Sequence, residues 1–125
     1  MLLDTNAISA WAADDPAFLG ALPNDRPWYL STIALGEFHY GVLKSTRRRF
    51  LDPWLAELED ACVLLSPDVT TAAIYAELRR GMEIGGFVVP YHDIWIGALA
   101  KQYELPVVSR DAHFDRMPGI SRVSW

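Results

Sequence analysis

Cysteine is almost missing from this chain. Only Cys62, in "ACVLL", carries a thiol among the 125 residues, so no internal disulfide can form. That agrees with a reducing compartment, and the residue reads as a small buried apolar side chain. Long apolar runs are missing as well, and none approaches the length that spans a bilayer. The first residues lack a basic segment followed by an apolar stretch, so no signal peptide is visible. A cytoplasmic protein without a membrane partner is expected. Repeats, low-complexity tracts and dividing linkers are not found either, which leads us to expect one domain over residues 1–125. Net positive charge is also lacking. The balance of −5 argues against a broad basic surface. One stretch departs from it: "KSTRRR" gathers Lys44, Arg47, Arg48 and Arg49 within six residues. Such a run is most often a solvated helix start, and its functional alternative is a contact with a phosphate backbone.

What the chain does have is a globular balance, 51% hydrophobic and 22% charged residues. Short apolar runs alternate with longer helical stretches. "MLL", "WYLS", "CVLL", "LPVVS" and "ISRVSW" read as strands. Helices are expected over Asn6 to Ala13, within "AFLGAL", from Thr32 to Leu43, and from Thr46 to Asp60. In the last of these Phe50, Leu51, Trp54, Leu55 and Leu58 recur at helical spacing. "PNDRP" is turn chemistry. "SPDVTTAAIYAELRRG" carries Ser66 and Asp68 as caps and Gly81 as the stop. "GGFVVP" reads as a loop, and "DIWIGALAKQY" as a helix buried on most sides. Strands separated by helices imply an α/β fold with a central, mainly parallel sheet of four to five strands covered on both faces.

Open parallel sheets bind ligands beyond the C-terminal ends of their strands, where the chain order reverses. Asp4 in "MLLDTN" follows the first strand directly, and Asp111 follows "PVVS". Either could serve a turn or cap a helix. Glu37 in "STIALGEFHYG" falls between Ile33 and Gly41 on a helical projection, near Ala34. A glutamate inside that apolar arc is costly unless a cation or hydrogen bonds compensate it; at the edge of the stripe it would reach solvent. Asp93 opens the most apolar helix, where capping and the helix dipole also favour it.

Four converging acids would either take up protons or hold a cation, since two unit charges about 4 Å apart repel by about 4 kcal/mol at an effective dielectric near 20. Oxygen ligands without a convincing histidine group favour Mg²⁺ or Mn²⁺ over zinc. His39, His92 and His113 lack the HExxH type of spacing and are expected mainly at surface or helix-edge positions, although His92 and His113 neighbour two of the acids.

"LLDTN", "STIALGEFHYG", "HDIWIGALA" and "VVSRDAHF", in that order across essentially the whole chain, resemble a PIN-domain ribonuclease, in particular the VapC-type toxins of type II (VapBC) toxin–antitoxin pairs. The resemblance implies a three-layer α/β/α sandwich (PIN-like). It implies catalytic acids at Asp4, Glu37, Asp93 and Asp111, with metal held by Asp4, Asp93 and Asp111. Thr5, Asn6 and Ser31 match supporting polar positions near the acids. Mg²⁺ or Mn²⁺ dependence, endonucleolytic cleavage of RNA and restraint by a cognate antitoxin are implied too. So are a homodimer and a higher hetero-oligomer with the antitoxin. RNA contact would come from Lys44, Arg47, Arg48 and Arg49. Two departures stand out. His113 holds the place before the Phe where Asp or Asn is common, with the acid at Asp111. The first strand starts at Met1, so fraying is expected there. Two other readings compete: a PIN-like module that binds RNA or protein without cleaving, and a receiver-type phosphoacceptor domain. The receiver reading wants an acidic pair after the first strand and a Lys after a late one, and neither is present here.

Overall fold

A computed structural model describes residues 1–21 and 27–125. The turn expected at "PNDRP" falls mainly on residues outside that description. The described residues form one parallel sheet of five strands: β1 (Leu2–Leu3), β2 (Tyr29–Ser31), β3 (Val63–Leu65), β4 (Val107–Val108) and β5 (Arg122–Val123). Their order across the sheet is β3-β2-β1-β4-β5. Helices α1 (Thr5–Ala12), α2 (Pro16–Ala21), α3 (Thr32–Leu43), α4 (Arg48–Ala61), α5 (Val69–Ile84) and α6 (Tyr91–Gln102) flank it, completing a three-layer α/β/α sandwich. A short 3-10 helix, Ala112–Arg116, precedes β5.

The central strands are covered on both faces, which is why they read as unbroken apolar runs rather than alternating ones. Leu2, Leu3, Val107 and Val108 are fully buried. Fraying of β1 is corrected here: the strand lies between β2 and β4, Met1 is buried, and its ammonium donates to the Pro27 carbonyl at 2.9 Å. β3 forms one edge, leaving Val63 and Leu64 half-exposed. Cys62, before it, is only half-buried, and that burial still pushes its thiol up to about 11.

Of the α4 stripe, Leu55 and Leu58 are buried and Leu51 and Trp54 partly so, whereas Phe50 lies off the stripe and is half-exposed beneath the Arg47 guanidinium. The expected stop of α5 at Gly81 is also corrected. Met82 is still buried, so the apolar stripe draws the helix on to Ile84, and the chain turns at Gly85 and Gly86, the latter at φ +72°. Asp68 caps α5 through a reciprocal pair with Thr71. α6 is the most enclosed helix, as its sequence demands. A Cβ at Gly97 would lie 2.5 Å from Met117 Sδ and 2.9 Å from Ile120 Cδ1, so glycine lets α6 approach the segment that carries Asp111.

Candidate active site

From β1 the chain proceeds to β2 and β3 on one side and, later, to β4 and β5 on the other. The switch of direction therefore lies between β1 and β4, where parallel sheets form their binding crevices. Asp4 leaves β1 and caps α1; Asp111 follows β4 and caps the 3-10 helix. Asp93 lies in the first turn of α6, and Glu37 in the middle of α3. All four line one cleft of about 500 Å³, together with Thr5, Asn6, Lys44 and His92. The four acids thus share one cleft in space.

Their surroundings differ. Asp4 is 4% exposed and accepts three kinds of donor. The Thr5 N–H reaches Oδ1 at 2.7 Å, while Asn6 Nδ2 and Ser109 Oγ reach Oδ2 at 2.9 and 2.7 Å. Burial nevertheless outweighs these bonds and pushes its carboxyl up to about 6, with the charges of Asp93 and Glu37 adding to the rise. Asp93, equally buried, is also raised, first by burial and then by Asp111, against the pull of His92 and His113. Glu37 accepts from Thr5 Oγ1 at 2.6 Å on Oε2, leaving Oε1 facing His92 Nδ1 at 3.2 Å.

His92 is exposed at the start of α6, as expected, and His113 is half-buried, yet both rings also contact the acids. His39 sits on the exposed side of α3, against Glu59. The His92 ring bridges two acids, Nδ1 to Glu37 and Nε2 to Asp93 Oδ1, each at 3.2 Å. His113 Nδ1 lies 2.9 Å from Asp111 Oδ1 and 3.3 Å from Asp93 Oδ2. Carboxylates gathered out of water attract any cationic partner, and the imidazoles stand where one is needed.

Ser31 is placed elsewhere. It is fully buried at the end of β2 and caps α3, its Oγ accepting from the Ala34 N–H at 3.0 Å, with no bond to an acid. The polar group that the sequence reading missed is Ser109. Its hydroxyl donates to Asp4 and accepts from Asn6 Nδ2 and the Asp111 N–H, tying the two ends of the cleft together. The signal was a polar residue closing a buried strand, but only the register Leu3↔Val108 brings Ser109 beside Asp4.

The basic residues of the expected RNA contact, Lys44, Arg47, Arg48 and Arg49, are all exposed. Lys44 lines the acidic cleft with Nζ 3.9 Å over the Tyr40 ring. Arg47 lines an adjoining hollow that shares Ser9 with the cleft. Arg48 is engaged with Asp52 at 3.2 Å, and Arg49 lies in the first turn of α4.

The donors fit a small divalent cation. Asp93, Asp111 and His113 offer ligand atoms within 4.8 Å of one another, and the raised, buried Asp4 lines the same cleft. Buried carboxylates that resist ionisation alone become favourable ligands when a dication compensates them.

The chain matches the PIN domain family over residues 1–120. It is 30% identical over 95 residues to "Ribonuclease VapC5" of Mycobacterium tuberculosis, covering 74% of this chain and 70% of that protein. It is 32% identical over 122 residues to "Toxin FitB" of Neisseria gonorrhoeae, covering 89% and 87%. In fold it is similar to VapBC2 of Rickettsia felis, solved bound to a fragment of promoter DNA, with a TM-score of 0.88 at 22% identity over 99% of this chain and 97% of that one.

Proposed function

The chain belongs to the PIN-domain family, and from that premise we propose that it is a Mg²⁺- or Mn²⁺-dependent endoribonuclease, the toxin of a VapBC-type toxin–antitoxin pair. The observation that carries the reading is the burial of Asp4 and Asp93 in one cleft with Glu37 and Asp111, at the switch point of the sheet. The relatives named as a ribonuclease and a toxin supply the chemistry and the setting.

Asp4, Asp93 and Asp111 are the residues that would hold the ion. When bound, it supplies Lewis acidity toward a phosphate oxygen and lowers the pKa of water. The chain's own residues do the rest. Thr5 Oγ1 fixes one oxygen of Glu37, and the other, Oε1, which faces His92 Nδ1, is the one that would take a proton from the attacking water. Asn6 and Ser109 hold Asp4 in a single rotamer through bonds to Oδ2. Lys44 at the rim, with Arg47, Arg48 and Arg49 beyond it, would draw the RNA backbone toward an otherwise acidic protein. The partner expected to restrain the enzyme is a cognate antitoxin, whose Arg or Lys could satisfy the same carboxylates. A homodimer, one domain over residues 1–125 and a cytoplasmic setting complete the proposal. No helix among the described residues is long and apolar enough to cross a membrane.

The test is incubation of purified protein with total cellular RNA. Fragments should accumulate with Mn²⁺ or Mg²⁺, and none with a chelator. Asp4→Asn and Asp93→Asn should both be inactive while retaining the wild-type circular dichroism spectrum. RNA that is retarded on a gel but never shortened would support a binding module instead. Full cleavage by either variant would contradict the site.

A further inference from the structure

The two histidines of the cleft meet the acids in different ways. His92 presents a separate ring nitrogen to each of its carboxylates, so a protonated ring satisfies both with ordinary hydrogen bonds. His113 presents one nitrogen to two. Its Nδ1 faces Asp111 Oδ1 at 2.9 Å and Asp93 Oδ2 at 3.3 Å. A single ring nitrogen carries either one proton or one lone pair, and it cannot complete two full hydrogen bonds at once. In the tautomer with the proton on Nε2, Asp93, Asp111 and His113 each offer an electron-rich atom, all within 4.8 Å of one another, and one comes from a carboxylate that is 4% exposed.

From this the geometry points to His113 as a nitrogen ligand of the divalent ion, beside Asp93 and Asp111, giving a centre that favours Mn²⁺ over Mg²⁺. This rests on the metal-dependent reading of the cleft and adds a ligand to it. Neighbouring ligand atoms on an ion with bonds of about 2.1 Å stand about 3.0 Å apart in an octahedral array and about 3.4 Å in a tetrahedral one. The two Nδ1 distances lie close to that span. The ring is also held in place: the His113 N–H donates to Asp111 Oδ1 at 2.9 Å, and the next residue, Phe114, is fully buried. With the proton on Nε2, the Nδ1 lone pair faces the ion. Imidazole is a softer donor than carboxylate, and Mg²⁺ selects oxygen, so the nitrogen biases the centre toward a first-row transition ion.

The experiment is electron spin-echo envelope modulation of the full chain loaded with Mn²⁺. A ¹⁴N coupling should appear, change to a ¹⁵N pattern when only histidine is labelled, vanish in His113→Asn and persist in His92→Asn. Labelling leaves the sequence intact, so folding of a variant does not decide that part. Calorimetry should find Mn²⁺ affinity lowered about tenfold in His113→Asn, with Mg²⁺ affinity little changed. Bound Mn²⁺ without nitrogen coupling, or a coupling that survives His113→Asn, would overturn the ligand while leaving the metal-dependent reading intact. Failure of the wild-type chain to bind Mn²⁺ would overturn both.

Discussion

Asp4 gathers three donors and is still protonated more readily than an exposed aspartate, because burial removes more hydration than those bonds return. The sign of the consequence follows from linkage. Folded Asp4 binds its proton up to about pH 6, and the unfolded residue only to 3.8. Stability of the ion-free protein should therefore be fully present below the lower value and fall as pH rises to the upper one, by at most about 3 kcal/mol. Asp4→Asn should flatten that slope, as urea titrations in chelator at about pH 4.5 and about pH 7 would measure; an unchanged slope would mean that Asp4 is ionised throughout. Adding the ion reverses the penalty. At about a hundredfold excess over its Kd, Mn²⁺ should stabilise the wild type by about 2.7 kcal/mol and Asp93→Asn far less. Equal shifts in thermal midpoint would place the ion elsewhere.

Asp4, Asp93 and Asp111 reach the cleft because an element begins there, and Glu37 reaches it from the middle of α3; these elements were largely legible in the sequence. The observed α3, Thr32–Leu43, coincides with the helix read from "TIALGEFHYGVL". Turn and cap chemistry declares itself locally, as at Asp68, whereas Gly81 misled because a glycine within a still-buried stripe resembles a stop. Partners across the sheet are another matter. Nothing in "PVVS" announces that Ser109 will face Asp4, since parallel register joins residues about a hundred positions apart. His92 and His113 visibly neighbour Asp93 and Asp111 in the sequence, but their second acids, Glu37 and Asp93, lie far along the chain and were hidden. Ser31 separates local from distant roles. Losing its bond to the Ala34 N–H in Ser31→Ala should cost about 1 kcal/mol by denaturant melting. Total cleavage should follow the folded fraction, leaving cleavage per folded molecule unchanged; a larger loss would return Ser31 to the site. Gly97→Val should cost about 1–3 kcal/mol by pressing α6 against Met117 and Ile120. A neutral substitution would mean that the approach of α6 is not tight.

For the molecule as a whole, a net charge of −5 and the proposed RNA substrate, with one negative charge per nucleotide, are at odds unless charge is distributed unevenly. Asp4 and Asp93 are buried at the switch point, while Lys44, in the same cleft, and the three arginines that follow it in the chain are exposed. Replacing Arg47, Arg48 and Arg49 by Ala should weaken RNA binding and reduce the salt slope of log K by up to about 2. An unchanged slope would leave the patch a solvated helix start. The α/β/α sandwich could be read from alternating strands and helices, yet which strand neighbours which depends on packing that no short motif encodes. The most direct measurement is a Mn²⁺ anomalous difference map from crystals of this protein. Density enclosed by Asp4, Asp93 and Asp111 is the expected result; well-ordered carboxylates with no peak among them, at saturating Mn²⁺, would contradict it.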